Sequence, residues 1–168
     1  MRSERLSLTQ DELKTVLLPK LRGLAFHVTT LEGCAGILRD GHIGSNANGQ
    51  YPVSHSQSRV SYFRQRDCVS VVDLREISDE DLTWTMRNYY FLDIFPSHKS
   101  VFLILKPECY SELISWTVSK QDEPRTAMIV PYLEAGFKNS IPVDCIERAI
   151  FADVAATPDP FLSDLSQP

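Results

Sequence analysis

The sequence predicts an α+β fold in which a few helices flank a mostly antiparallel or mixed sheet. Several short apolar segments are typical of strands, and two or three others have apolar residues at helical spacing. The two kinds of segment do not alternate as βαβ units. With 168 residues and 43% hydrophobic residues, the chain can bury one core. We therefore expect one domain over residues 1–154 and a loose, proline-containing tail over 155–168.

Residues 1–22 are predicted to contribute an N-terminal helix that covers the core. Thr9 and Glu12 have the spacing of a capping box. An apolar stripe follows at helical spacing, formed by Leu13, Val16 and Leu17. Pro19 is expected to end this helix, because proline has no backbone N–H to donate.

The next segment predicts a strand over Leu24–Val28, followed by a helix. Thr29 is the expected N-cap, with Glu32 three residues later. Asp40 and Gly41 end the helix, since glycine readily takes a left-handed conformation.

Beyond a long polar loop at 44–58, the remaining elements follow from short local patterns. Strands are expected around Val69–Val72, over Val101–Leu105 and over Ala127–Leu133, where Pro131 favours a sheet edge or a bulge. Ser78 caps a helix with acidic residues in its first turn. Residues 108–116 fit a helix or an extended segment, and 141–151 predict a helical turn and a last strand.

Charge and cysteine usage narrow the class of protein. The formal net charge of −5 argues weakly against a surface built to bind phosphates. No apolar run is long enough for a membrane span, and the N-terminus has no apolar signal core, so a cytoplasmic protein is expected. The four cysteines are widely spaced and have no CxxC pair, which favours plain thiols and no metal site.

Common catalytic motifs are missing. The chain has no GxxxxGK[ST] loop, no GxGxxG and no GxSxG. Three features remain that could take part in catalysis or binding. They are His27 and Thr29 near a strand end, the segment Ser61–Arg64 after the polar loop, and Glu134 after an apolar segment.

Two segments, "FHVTTLEGCAGILRDGHI" and "IVPYLEAGFKNSIPVDCIERAIF", resemble the ADP-ribosyltransferase superfamily. The family has an early strand with a histidine and a helix of the pattern "L..IL..G". Its late apolar strand carries a glutamate and is followed by "IP...I..I". The outline extends from Leu24 to Phe151, with the strongest likeness to small bacterial toxins of the DarT type. It implies split mixed or antiparallel sheets and NAD as substrate.

The resemblance implies roles for named residues. Glu134 would be the catalytic carboxylate that stabilises positive charge on the ribose. His27 would donate to a ribose hydroxyl, and Thr29 would help to fix the dinucleotide. Between them the family has a second-strand residue, often tyrosine, serine or arginine.

For that middle position the candidates are Ser61, Tyr62 and Arg64. Tyr62 or Phe63 would stack on nicotinamide, with alternation along a strand turning only one of them to the pocket. Arg64 would pair with the pyrophosphate, in competition with Arg59 and Arg66.

The resulting hypothesis is a cytoplasmic, NAD-dependent mono-ADP-ribosyltransferase of a bacterium or phage. It acts on a macromolecule, protein or nucleic acid, with an antitoxin or regulator as a further partner and no membrane association. Arginine is a disfavoured target, because Tyr132 stands where the arginine-modifying branch has an acidic residue. An NAD glycohydrolase and a non-catalytic binding module of the same fold are the alternatives.

Overall fold

The structure is a computed structural model that describes residues 1–51, 61–89, 99–119, 121 and 129–155. Its strands are β1 (Arg2–Leu8), β2 (Ala25–Thr30), β3 (His42–Gly44), β4 (Cys68–Asp73), β5 (Lys99–Leu105), β6 (Leu113–Ile114), β7 (Glu134–Lys138), β8 (Ser140–Pro142) and β9 (Ile146–Val154). Seven form one sheet in the order β1-β9-β5-β2-β4-β7-β6, and β3 pairs with β8. β1 runs parallel to β9 and the other pairs are antiparallel, which confirms the predicted α+β class with a mixed sheet.

Short helices connect these strands. The α-helices are α1 (Leu18–Leu21), α2 (Leu31–Asp40), α3 (Asp79–Tyr89) and α4 (Trp116–Ser119). A π-helical turn at Leu13–Leu17 precedes α1, and 3-10 turns form at Arg64–Arg66, Pro107–Glu112 and Val143–Cys145. None of the helices in the described ranges combines the length and the apolarity that a membrane-spanning helix requires.

The N-terminal prediction was wrong in its first part, because residues 2–8 form a strand. Burial alternates along β1, with Leu6 and Leu8 turned to the packed side, and β1 gains its hydrogen bonds from β9. That partner lies more than 140 residues away along the chain, so no local sequence pattern could predict the pairing. The Thr9–Glu12 contact is present, as Thr9 N–H donates to Glu12 Oε2 at 2.7 Å. Pro19 does not end the helix, because it lies in the first turn of α1.

The predicted strand and helix after Leu24 are confirmed, with one shift at their junction. Thr30, rather than Thr29, is the N-cap of α2, and its Oγ1 accepts from Gly33 N–H at 3.0 Å. Gly41 ends α2 with φ 77°, as expected. The Thr29 side chain lies instead over Gly33, where a Cβ atom would overlap the Thr29 hydroxyl.

Other local predictions have mixed outcomes. Ser78 caps α3 by accepting from Asp81 N–H at 3.0 Å, and the last turn and strand form as predicted. Residues 108–116 divide into a 3-10 turn, β6 and the start of α4. The tail from 156, the loop from 52 to 60 and the predicted helix beyond 89 lie outside the described residues.

The prediction of four plain thiols was wrong for two of them. Cys109 and Cys145 form a disulfide with their Cα atoms 6.0 Å apart, whereas Cys34 and Cys68 are free and buried. β5 and β9 are neighbours, and their pairing extends to Leu105 and Ile146. The turns next to these ends carry the two cysteines, so sheet pairing brings together residues that are 36 positions apart.

Apolar clusters cover the two faces of the large sheet. One contains the N-terminal helical leucines with Phe26, Phe102 and Ile150, and the other contains Val71, Leu103 and Ala149. β2 contributes alternately to both clusters, which fixes the face of each of its residues. This alternation determines where the candidate site residues point.

Candidate active site

The large sheet divides between β2 and β4. Their ladder consists of two pairs, Ala25 with Asp73 and Phe26 with Val72, after which β2 continues to Thr30 alongside β5. The next hydrogen bond across the gap comes from a side chain, as His27 Nδ1 lies 2.9 Å from the Ser70 carbonyl oxygen. An imidazole reaches further from its strand than a backbone amide does, so the strands diverge here.

Val28 marks this divergence as an opening. It lies on a central strand, yet its side chain is 40% exposed. By alternation, Val28 shares a face with Phe26, whose partner Val72 is in turn paired with Glu134. The face that carries Glu134 is therefore open to solvent where β2 and β4 part.

Glu134 is the first residue of β7, and the strand predicted to precede it is absent from its described part, 129–133. Those residues form a turn instead. Pro131 has no N–H for a ladder, and Tyr132 takes a left-handed φ of 67°, so extended pairing cannot continue through them. Residues 127 and 128 lie outside the described residues.

Among the described residues, three donors hold the Glu134 carboxylate. Ser70 Oγ donates to Oε1, Ser61 Oγ donates to the same oxygen at 3.4 Å, and Val130 N–H donates to Oε2 at 2.7 Å. Burial raises the pKa of Glu134, and the hydrogen bonds from Ser70, Val130 and Ser61 oppose that rise. The carboxylate is thus fixed and partly desolvated at the edge of the opening.

His27 is a hydrogen-bond acceptor at its outer nitrogen. Burial lowers the pKa of His27 and the contact with Ser70 only partly compensates, so the neutral imidazole is favoured. A carbonyl can only accept, so Nδ1 carries the proton and Nε2 carries the lone pair. Donation from Nε2 to a ribose hydroxyl would require a doubly protonated ring, and that predicted role of His27 stays a prediction.

His27 and Glu134 project from opposite faces of the sheet. His27 is paired with Leu103 and Thr29 with Val101, on the face that also bears Val71. Ser70 joins the two groups, because its carbonyl accepts from His27 and its hydroxyl donates to Glu134. Thr29 shares the face of His27, and its hydroxyl lies against Gly33.

Of the predicted middle residues, Ser61 contacts Glu134 through its side chain in the described structure. The expected alternation of Tyr62 and Phe63 was wrong, because they lie in a turn and both are buried. Their rings meet edge to face at 5.1 Å, and the Arg66 guanidinium lies 3.7 Å above the Tyr62 ring.

Arg64 is directed to the polar loop after β3. Its Nε donates to the Asn46 carbonyl at 2.7 Å, and the Asn46 side chain closes the loop by bonding both backbone groups of Tyr51. Arg64 therefore ties the described part of that loop to the segment that carries Ser61. Arg59 lies outside the described residues.

Sequence reasoning missed Ser70 and the Val130 amide. Ser70 is the polar residue inside "CVSVV", and that interruption of an apolar strand was the available signal. A backbone donor such as Val130 N–H has no side-chain signature. Among the described residues, no three His, Cys, Asp or Glu side chains group as metal ligands.

Comparisons of the chain with family models, curated proteins and solved structures found no match.

Proposed function

We propose that this chain is an NAD-dependent mono-ADP-ribosyltransferase that modifies a macromolecule. The observation that carries the proposal is the Glu134 carboxylate, held by Ser61, Ser70 and Val130 beside an opening in the sheet. A fixed and partly desolvated carboxylate suits a reaction whose transition state gains positive charge on a sugar.

The chemistry sets the requirement for this carboxylate. The bond between the ribose C1′ and the nicotinamide nitrogen breaks, and its electron pair leaves with nicotinamide. Positive charge then develops on the ribose, and Glu134 stabilises it. An acceptor oxygen or nitrogen forms the new bond to C1′ and loses its proton. Water in the place of the acceptor gives NAD hydrolysis by the same residues.

The hydrogen-bond count at Glu134 leaves room for a substrate hydroxyl. A carboxylate accepts about four hydrogen bonds, two on each oxygen. In the described structure Oε1 takes the two serine hydroxyls, and Oε2 takes Val130 N–H. The second acceptor position of Oε2 suits a ribose 2′-hydroxyl, which would orient the sugar against the charge that stabilises it.

The order of polar residues along the sheet agrees in part with the family resemblance, since Ser70 and Glu134 share one face of the sheet and His27 projects from the other. His27 lies on β2, Ser70 on β4 and Glu134 on β7, which are consecutive in the sheet. The resemblance expects an early-strand histidine, a second-strand residue and a late-strand glutamate in this order. Ser70 takes the middle position in this proposal, with Ser61 as a second contact. The ADP-ribosyltransferase-like split sheet and the cytoplasmic location stay predictions.

The test is an assay of purified protein with NAD labelled in its adenylate part, added to a cell lysate. Label on a macromolecule together with released nicotinamide would establish a transferase. Free labelled ADP-ribose without a labelled macromolecule would identify a glycohydrolase instead. Absence of both NAD binding and NAD consumption would contradict the proposal and favour a non-catalytic binding module.

Replacing Ser70 with alanine should move the acid side of the pH–rate profile to higher pH. The Ser70 hydroxyl lowers the pKa of Glu134, so its loss raises that pKa further. The reaction needs the ionised carboxylate, and activity falls as the pH drops through the pKa of Glu134. The acid limb of kcat/KM should therefore begin at higher pH in Ser70→Ala than in wild type.

Ser61→Ala is the matched control. The Ser61 hydroxyl donates to the same oxygen at a longer distance, 3.4 Å, and it lowers the pKa of Glu134 less than the Ser70 hydroxyl does. The acid limb of Ser61→Ala should therefore move in the same direction as that of Ser70→Ala, but by less. An acid limb that stays in place in Ser70→Ala would rule out Glu134 as the ionising group.

A further inference from the structure

A pocket separate from the opening between β2 and β4 lies on the sheet face that carries Glu134. Along β4 and β7 this face continues through the paired residues Ser70 and Gly136 to Cys68 and Lys138. The ring of Phe63 packs on Gly136, where a Cβ atom would overlap it. Beyond Phe63 is a pocket of about 250 Å³.

The pocket combines apolar walls with positive charge. Its walls include Tyr62, Phe63, Ile114 and Val118, and its cationic residues are Arg66 and Lys138. No carboxylate is among its described lining residues, although the negative charge of Asp67 acts on the adjacent Cys68. Stacking of the Arg66 guanidinium on the Tyr62 ring fixes its plane. An aromatic wall beside two cations is complementary to a flat apolar body that bears an anionic group.

The free cysteine in this pocket does not indicate chemistry. Cys68 is 3% exposed, and burial together with the negative charge of Asp67 raises the pKa of its thiol, while Lys138 and Arg66 oppose that rise. A thiol with a raised pKa is a poor nucleophile. Cys68 therefore supplies no nucleophile to this pocket.

We propose that this pocket is a second ligand site, which binds a small anion with an aromatic or other flat apolar body. Aryl phosphates and aryl carboxylates are the simplest members of this class, and a nucleotide has the same two parts.

The site is separate from the Glu134 carboxylate. The groups that contact Glu134 come from Ser61, Ser70 and Val130, and none of these residues lines the pocket. Lys138 is four residues along β7 from Glu134, which at about 3.3 Å per residue is about 13 Å. The buried Phe63 ring lies between them.

The experiment is a calorimetric titration of the whole protein with phenyl phosphate, inorganic phosphate and phenol. Wild type should bind phenyl phosphate at least about tenfold more tightly than either fragment, which is about 1.4 kcal/mol. Equal affinity for inorganic phosphate would reduce the site to a simple anion contact and overturn the proposal. Absence of phenyl phosphate binding would overturn it as well.

Two exposed positions allow variants with little risk to folding. Val118→Trp places a large ring at the pocket, since Val118 is 58% exposed, and should abolish phenyl phosphate binding. Lys138→Glu should weaken binding at least about tenfold. Leu38→Trp and Lys14→Glu are the matched controls at exposed positions outside the pocket, and should bind as wild type does. Wild-type affinity in both pocket variants would contradict the assignment.

The second site does not depend on the proposed transferase activity. Glu134→Gln should leave the affinity for phenyl phosphate unchanged, and so should added NAD. Competition by NAD would place the pocket within the NAD site and refute a separate site. A protein that ignores NAD but binds phenyl phosphate would refute the transferase and retain this pocket.

Discussion

Glu134→Gln is expected to reduce NAD turnover by about 10²–10³-fold, the effect of removing one charge-stabilising group from a preorganised site. Glutamine has the size of glutamate, and its amide can still accept from Val130 N–H and pair with the hydroxyls of Ser61 and Ser70. The variant loses the negative charge and keeps the packing. Turnover is measured as the rate of nicotinamide release per mole of protein.

Folding must be preserved for this result to have meaning. Burial raises the pKa of Glu134, so the folded protein gains nothing from ionising it, and the melting temperature should not fall in Glu134→Gln. Glu147→Gln, at an exposed position of β9, is the matched control and should turn over NAD as wild type does. If Glu134→Gln turns over NAD as fast as wild type, then Glu134 is not a catalytic residue.

Gly136→Ala is expected to destabilise the protein by about 3 kcal/mol, at the upper end of the usual cost of overpacking. A Cβ atom at Gly136 would overlap Phe63 Cδ1 and lie 2.5 Å from its Cε1. Phe63 is 1% exposed and has little room to move. At about 2–4 °C per kcal/mol for a chain of this size, the melting temperature should fall by about 6–12 °C.

Gly36→Ala is the control with the opposite sign. Gly36 lies inside α2, where a Cβ atom makes only an ordinary contact with Arg39 at 3.7 Å, so alanine should stabilise by about 0.5–1 kcal/mol. Phe63→Ala removes the clashing ring, and Gly136→Ala should cost at least about 0.5 kcal/mol less in that background. If Gly136→Ala costs the same free energy of unfolding with and without the Phe63 ring, then contact with Phe63 is not the reason for a glycine at position 136.

The Glu134→Gln and Gly136→Ala experiments test the charge and the packing of the same site. In the proposed reaction Glu134 supplies the negative charge, and the packing of Phe63 on Gly136 supports the turn that carries Ser61. A stable Gly136→Ala protein with weakened turnover would show that the position of Ser61 matters to the reaction. Loss of stability alone would assign the Phe63–Gly136 contact to folding.

The sequence by itself determined the features that depend on nearby residues. The α+β class, the strand and helix from Leu24 to Gly41, the cap at Ser78 and the last turn and strand follow from local patterns. Caps and apolar periods act over a few residues, so they can be read without knowing the fold. Glu134 and His27 were singled out in the same way, from residues that flank them.

The tertiary structure decided whatever depends on distant partners. β1 needs β9, the disulfide needs the pairing of β5 with β9, and the Ser70 contact to Glu134 needs β4 beside β7. It also decided that both Tyr62 and Phe63 are buried and that Arg64 bonds a loop carbonyl. The physical reason is that hydrogen bonds between strands and packing between side chains join residues far apart in the chain. Local patterns predict which residues can form a strand, and only the completed sheet determines which side chains meet across it.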